Sequence, residues 1–194
     1  MNRKAGRPMA AYDLIPLLAV LFGLSESYVE TIYRRLNEAG VIPRSAGRAR
    51  ELLDSRHIAL WTFALLADVP SRAAADAAVT YFNLRNSVGV KAGTTFARWL
   101  DSFGGAKEVL TAQSDDSAHM LDLQIALHAS RSRLELDCGA SPRIRIVADA
   151  TDGLQAESIY GPQDRPWKDD NVRKTFSLPG NIIQRLGVAL HKAA

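Results

Sequence analysis

The chain has 194 residues, 47% of them hydrophobic and 23% charged. That supplies one large core or two small ones and excludes a wholly disordered chain. A single cysteine, Cys138, excludes an internal disulfide framework, and the formal net charge of +3 says nothing about partners until it is located.

Located, the positive charge lies at the front. Before residue 51 the basic residues are Arg3, Lys4, Arg7, Arg34, Arg35, Arg44, Arg48 and Arg50, against Asp13, Glu26, Glu30 and Glu38. The rest of the chain is nearly balanced. No apolar run approaches the ~20 residues of a membrane helix. The basic N-terminus lacks an apolar signal core with a following cleavage site, so the expectation is a cytoplasmic protein with no membrane partner. No internal repeat recurs at a fixed period.

Residues 1–12 read as a flexible basic arm. Within it Lys4-Ala5-Gly6-Arg7-Pro8 resembles half of an AT-hook, an extended segment that lies in a narrow minor groove. Ala5 stands where an arginine precedes the glycine, so only Gly6-Arg7-Pro8 matches, and a solubilising tail is the plain alternative.

From Leu14 the apolar residues take helical spacing: Leu14, Leu17, Leu18, Leu21 and Phe22, then Val29, Ile32, Tyr33 and Leu36. Gly23 can end the first helix in the left-handed conformation, and Ser25 or Ser27 can cap the second. Ser27 and Glu30 also have capping-box spacing. The set Ala19, Gly23, Leu24, Val29 and Ile32 resembles the helix-turn-helix pattern of bacterial DNA-binding regulators, in which the second helix enters the major groove. Asn37-Glu38-Ala39-Gly40-Val41-Ile42 looks like the helix-to-wing junction of winged helix-turn-helix proteins, and the basic, glycine-hinged segment 43–50 lies where a wing would sit. The resemblance implies a DNA-binding surface made of Arg7, Ser25, Ser27, Tyr28, Thr31, Arg34, Arg35, Arg44, Arg48 and Arg50. An ordinary helical hairpin that serves only the core is the alternative.

Glu51 to Asp68 reads as an apolar helix capped by Asp54 or Ser55, a third wall for the N-terminal core. An alanine-rich helix runs from Ser71 to about Leu84, fitted for close helix packing, within the chain or between two copies. Asn86 to Thr95 is a break. A helix over roughly Phe96 to Phe103 is expected to end at Gly104-Gly105, with short helices at 106–112 and 118–129.

After Ser130 the period changes to two. Leu134, Leu136 and Cys138 alternate with Arg133, Glu135 and Asp137, and Ile144, Ile146 and Ala148 with Arg143, Arg145 and Val147. Third and fourth strands are expected over Leu154–Tyr160 and Val172–Leu178. Pro179-Gly180-Asn181 starts a helix with Ile182, Ile183, Leu186 and Leu190 on one face, suited to cover a sheet.

The residues for bond-making chemistry do not assemble in sequence. His57, His119, His128 and His191 are scattered without ligand spacing, and there is no phosphate loop or serine elbow. Asp149, Asp152, Glu157, Asp169 and Asp170 resemble a magnesium site only loosely, because the Glu-x-Lys step of restriction-like nucleases is absent; solvated turn acids explain them.

The expected fold is α+β, mainly α. It comprises the arm 1–12, a (winged) helix-turn-helix domain 13–68, a helical region 69–130 suited to oligomerisation, and an antiparallel sheet with a terminal helix at 131–194. The expected function is sequence-specific binding of double-stranded DNA by a bacterial or phage transcriptional regulator, a homodimer because one short helix reads few base pairs. It is expected to be neither an enzyme nor a holder of metal or cofactor. The alternatives are a phage small terminase subunit forming a ring, or a partner-binding module that never meets DNA.

Overall fold

A two-residue strand, β1 (Met9–Ala10), leads directly into α1 (Ala11–Phe22), and β1 pairs antiparallel with β2 (Leu52–Leu53). The computed structural model describes residues 9–43, 52–109, 132–138, 142–149, 155–162 and 175–192. Residues 9–12, expected in the arm, are thus built into the fold. Ala10 and Ala11 are buried, and their backbone has a partner strand to satisfy it.

α1 ends at Gly23, which takes φ 65° and ψ 33°, and α2 runs over Glu26–Glu38. The Leu24 amide reaches back to Ala19 O at 2.9 Å, closing the turn as a Schellman-type cap. Ala19, Val29, Ile32, Tyr33 and Leu36 are all buried. The cap of α2 is Ser25, whose hydroxyl accepts from the Tyr28 amide at 3.3 Å. The expected Ser27–Glu30 box is not the cap, because Ser27 already lies inside the helix and Glu30 pairs with Arg34. Beyond α2, Gly40 has φ 69° and Ile42 is fully buried.

α3 (Ser55–Leu66) starts at an Asp54 cap, where the Asp54 side chain accepts from the His57 amide and His57 Nδ1 accepts from the Asp54 amide. Every residue from Ile58 to Leu66 is buried. A helix apolar all round needs partners on all sides. α3 accordingly contacts α2, β2, α4 (Ala74–Asn83) and α5 (Ala92–Val109), so it joins the N-terminal helices to the helical region that follows and is more than a wall of the N-terminal unit. Tyr33 lies on Trp61 with centroids 4.9 Å apart, and Phe63 on Phe96 at 5.5 Å. Ala74, Ala75 and Ala78 are buried, so the alanine-rich helix uses its small side chains within the chain.

α5 runs unbroken through Gly104-Gly105 to Val109, and it begins at Ala92, inside the expected break. Glycine costs a helix only about 1 kcal/mol relative to alanine. α5 packs along the terminal helix α6 (Gly180–Lys192) more extensively than any other two described elements pack together, which offsets that cost. The expected helix at 118–129 lies outside the described residues.

The strands β3 (Arg133–Asp137), β4 (Arg143–Asp149), β5 (Gln155–Tyr160) and β6 (Thr175–Pro179) form one antiparallel sheet, order β5-β4-β3-β6. The chain is α+β and mainly helical, with this sheet followed by a terminal helix. Leu134, Leu136, Ile144, Ile146, Tyr160 and Leu178 join one continuous core with Leu14 and Leu18 of α1, Phe96 and Leu100 of α5, and Ile183, Leu186 and Leu190 of α6. Polar bonds fasten the sheet to the helices: Tyr81 Oη donates to Asp137 O at 2.9 Å, Tyr160 Oη meets Thr95 Oγ1 at 2.9 Å, and the Gly161 amide donates to Arg85 O at 2.9 Å.

Candidate nucleic-acid interface

A helix that reads bases needs one face to hold it on its scaffold and another to present polar groups. In α2 the two are cleanly separated. Val29, Ile32 and Leu36 are fully buried, while Ser27, Thr31 and Arg34, spaced at i, i+4 and i+7, share the opposite side. Ser27 and Arg34 are exposed and Thr31 is partly so. Arg35 is exposed and Tyr28 half-buried, flanking that line.

The hydroxyls are not equally available. Ser25 Oγ is committed to the cap and lies 3.2 Å from Ser27 Oγ. Thr31 Oγ1 donates to Ser27 O at 2.7 Å, which uses its proton and leaves the oxygen as an acceptor. Ser27 shares one hydrogen bond with Ser25, in which either hydroxyl can donate.

The arginines are held by their own helix: Arg34 Nη2 lies 3.4 Å from Glu30 Oε1, and Arg35 Nη1 2.7 Å from Glu38 Oε2. With Glu26 also exposed, the outward face carries three carboxylates against two guanidinium groups. The i+4 spacing of Glu30 and Arg34 and the i+3 spacing of Arg35 and Glu38 carry this neutralisation in the sequence itself. Such exposed helix pairs are worth only about 0.3–0.5 kcal/mol, so a phosphate can take either arginine at little cost. Arg7, Arg44, Arg48 and Arg50 lie outside the described residues. The segment that carries the last three joins α2 to β2, and β2 is held beside β1 at the start of α1.

The second polar cluster lies on the sheet. Along its charged face Arg133 Nε is 2.7 Å from Glu135, Arg145 3.4 Å from Glu135, and Arg145 Nε 2.8 Å from Glu157. The bond to Glu157 holds the Arg145 guanidinium above its ordinary pKa. Glu157, one of the acids weighed for magnesium, is thus engaged by an arginine. Among the described residues no group of three or more His, Cys, Asp or Glu can hold a metal ion.

Asp137, which alternates with the apolar residues of β3, is buried, as is Arg143 directly across the ladder; their side chains meet at 3.7 Å. Alternation put Asp137 on the correct face but could not reveal that this end of the sheet is covered. Gly161, at φ 106°, sits there so closely that a Cβ would lie 2.9 Å from Pro142 O and 3.3 Å from Arg143 Cγ. Burial raises the Cys138 thiol, half-buried beside Leu66 O at 3.8 Å, consistent with a packing residue and not a nucleophile.

Among the described residues no helix is long and apolar enough to cross a membrane. No protein-family model, characterised protein or solved structure matches the chain.

Proposed function

We propose that the chain is a sequence-specific double-stranded DNA-binding protein, a bacterial or phage transcriptional regulator that acts as a homodimer. The observation that carries this reading is α2 itself. It follows α1 across a glycine turn at φ 65°, is clamped by Val29, Ile32 and Leu36, and turns Ser27, Thr31 and Arg34 outward as one polar line. Short hydroxyl side chains accept or donate at base edges and the threonine methyl touches thymine, while arginine positions on phosphate.

The carboxylates on α2 favour an arrangement in which the arm and the 44–50 segment carry the bulk of phosphate binding; Arg7, Arg44 and Arg48 have no acid adjacent in sequence, whereas Arg50 precedes Glu51. The same carboxylates favour a second reading, in which α2 docks on a basic protein partner and never meets DNA. One titration separates the two. A mobility shift at moderate salt, with a site selected from random duplexes, is expected to show binding that weakens linearly in log–log with salt. Ser27→Ala with Thr31→Ala should leave nonspecific affinity nearly intact and shrink discrimination by about 1–3 kcal/mol for each base pair no longer read. Arg34→Ala should lower affinity for all duplexes alike. No binding, or a double mutant with undiminished preference, removes α2 as the reader.

A further inference from the structure

α1 is written differently from its neighbour. On α2 the outward residues are Glu26, Ser27, Glu30, Arg34, Arg35 and Glu38, a polar and charged face. On α1 the outward residues are Tyr12, Pro16 and Val20, at i, i+4 and i+8, with Asp13 the one charge at the edge. Tyr12 is 73% exposed and Val20 72%. Leu52, 50% exposed, pairs with Ala10 at the N-terminal end of the same helix. A surface helix whose exposed stripe is apolar marks a contact surface.

The chemistry of the stripe restricts what covers it. α1 carries no basic residue, so it offers nothing to phosphate or to an anionic membrane surface. The stripe is also symmetrical about Pro16, with one large apolar side chain a helical turn before it and one a turn after. A two-fold axis through Pro16 sets Tyr12 of each protomer against the partner's Val20, an isologous contact that buries no charge.

We propose that the outer face of α1 is the pairing surface between two copies of this chain. The exposed parts of Tyr12, Pro16, Val20 and Leu52 amount to on the order of 400 Å². That is about half of the ~800 Å² per partner in a standard stable interface, so the pair is reversible and concentration-dependent. It rests on the homodimer of the proposed function and gives it a surface, but it needs no DNA, so its failure leaves the reading of α2 to be tested on its own.

The test is the mass of the full chain in solution, without DNA, by sedimentation across about 1 to 300 µM. The expected result is a shift from one chain to two within that range. Val20→Glu and, separately, Tyr12→Ser should each raise the dissociation constant about tenfold or more. Their helix content and melting temperature should be unchanged, because both positions face outward. Val88→Glu, at a site 78% exposed elsewhere on the molecule, should leave pairing untouched. Pro16→Cys should cross-link two chains under mild oxidation while wild type, with only the half-buried Cys138, does not. A single-chain mass at every concentration, a dimer undiminished in both variants, or a larger ring would each overturn the proposal.

Discussion

Gly23 shows how one residue sets the angle between two helices. Its φ of 65° lies in the left-handed region, yet a Cβ there would meet nothing within 4 Å. The penalty for any other residue is therefore conformational and not steric. Gly23→Ala should cost about 1–2 kcal/mol, and Gly23→Val more, because a β-branched side chain tolerates positive φ least. Urea titrations followed by circular dichroism measure this directly; an unshifted midpoint for both would mean the turn takes another conformation. Gly93 is the opposite case. It sits at ordinary φ in the first turn of α5, and a Cβ there would overlap the Phe82 ring. Only the partner residue makes that glycine necessary, so nothing in its own neighbourhood announces it.

Among elements, the α4–α5 contact follows from that overlap. Phe82 lies against Gly93 and also receives the Arg56 guanidinium of α3 at 5.3 Å from its centroid, so one ring joins three helices. Gly93→Ala should destabilise by about 1–3 kcal/mol through overpacking. Adding Phe82→Leu, which makes room, should recover part of the loss, giving a coupling of about 1 kcal/mol in a double-mutant cycle. Additive effects would mean that the two helices separate on their own and the contact stores no strain. The continuity of α5 through Gly104-Gly105 belongs to this scale as well, since its length is set by the helix it packs against and not by its own propensity.

Across the whole molecule, helices and sheet share one core, and their junction should be sensitive to alkali. Burial raises the phenols of Tyr81 and Tyr160 above the ordinary 10.0 and the thiol of Cys138 above 9.0. At Tyr81 the Cys138 and Asp137 neighbours add to the effect of burial. The folded state thus keeps these protons after the unfolded chain has begun to lose them. Stability is complete below the ordinary values and falls as pH climbs from them toward the raised ones. Melting temperature should hold between about pH 7 and 9 and then decline. Tyr81→Phe should make the decline shallower, and lower the melting temperature at pH 7 by a few degrees through loss of the bond to Asp137 O. An equally steep alkaline decline in Tyr81→Phe would assign the effect to other groups.

What the sequence by itself determined are the features written over short spans. The turn at Gly23, the buried line Val29–Ile32–Leu36, a cap at Asp54 or Ser55, the presence of four strands and the helix after Pro179 were all legible, because each depends on residues within a few positions of one another. The outward placement of Ser27 and Arg34 came with them, since a helix with one side buried has no freedom left in the other. Tertiary structure decided what depends on remote partners. It buried Asp137 against Arg143, packed α3 against α2, α4 and α5 together, carried α5 past two glycines, and paired residues 9 and 10 with the strand before α3. Each of these outcomes rests on desolvation or packing supplied from far along the chain, and a local pattern carries no record of which distant surface will arrive to supply it.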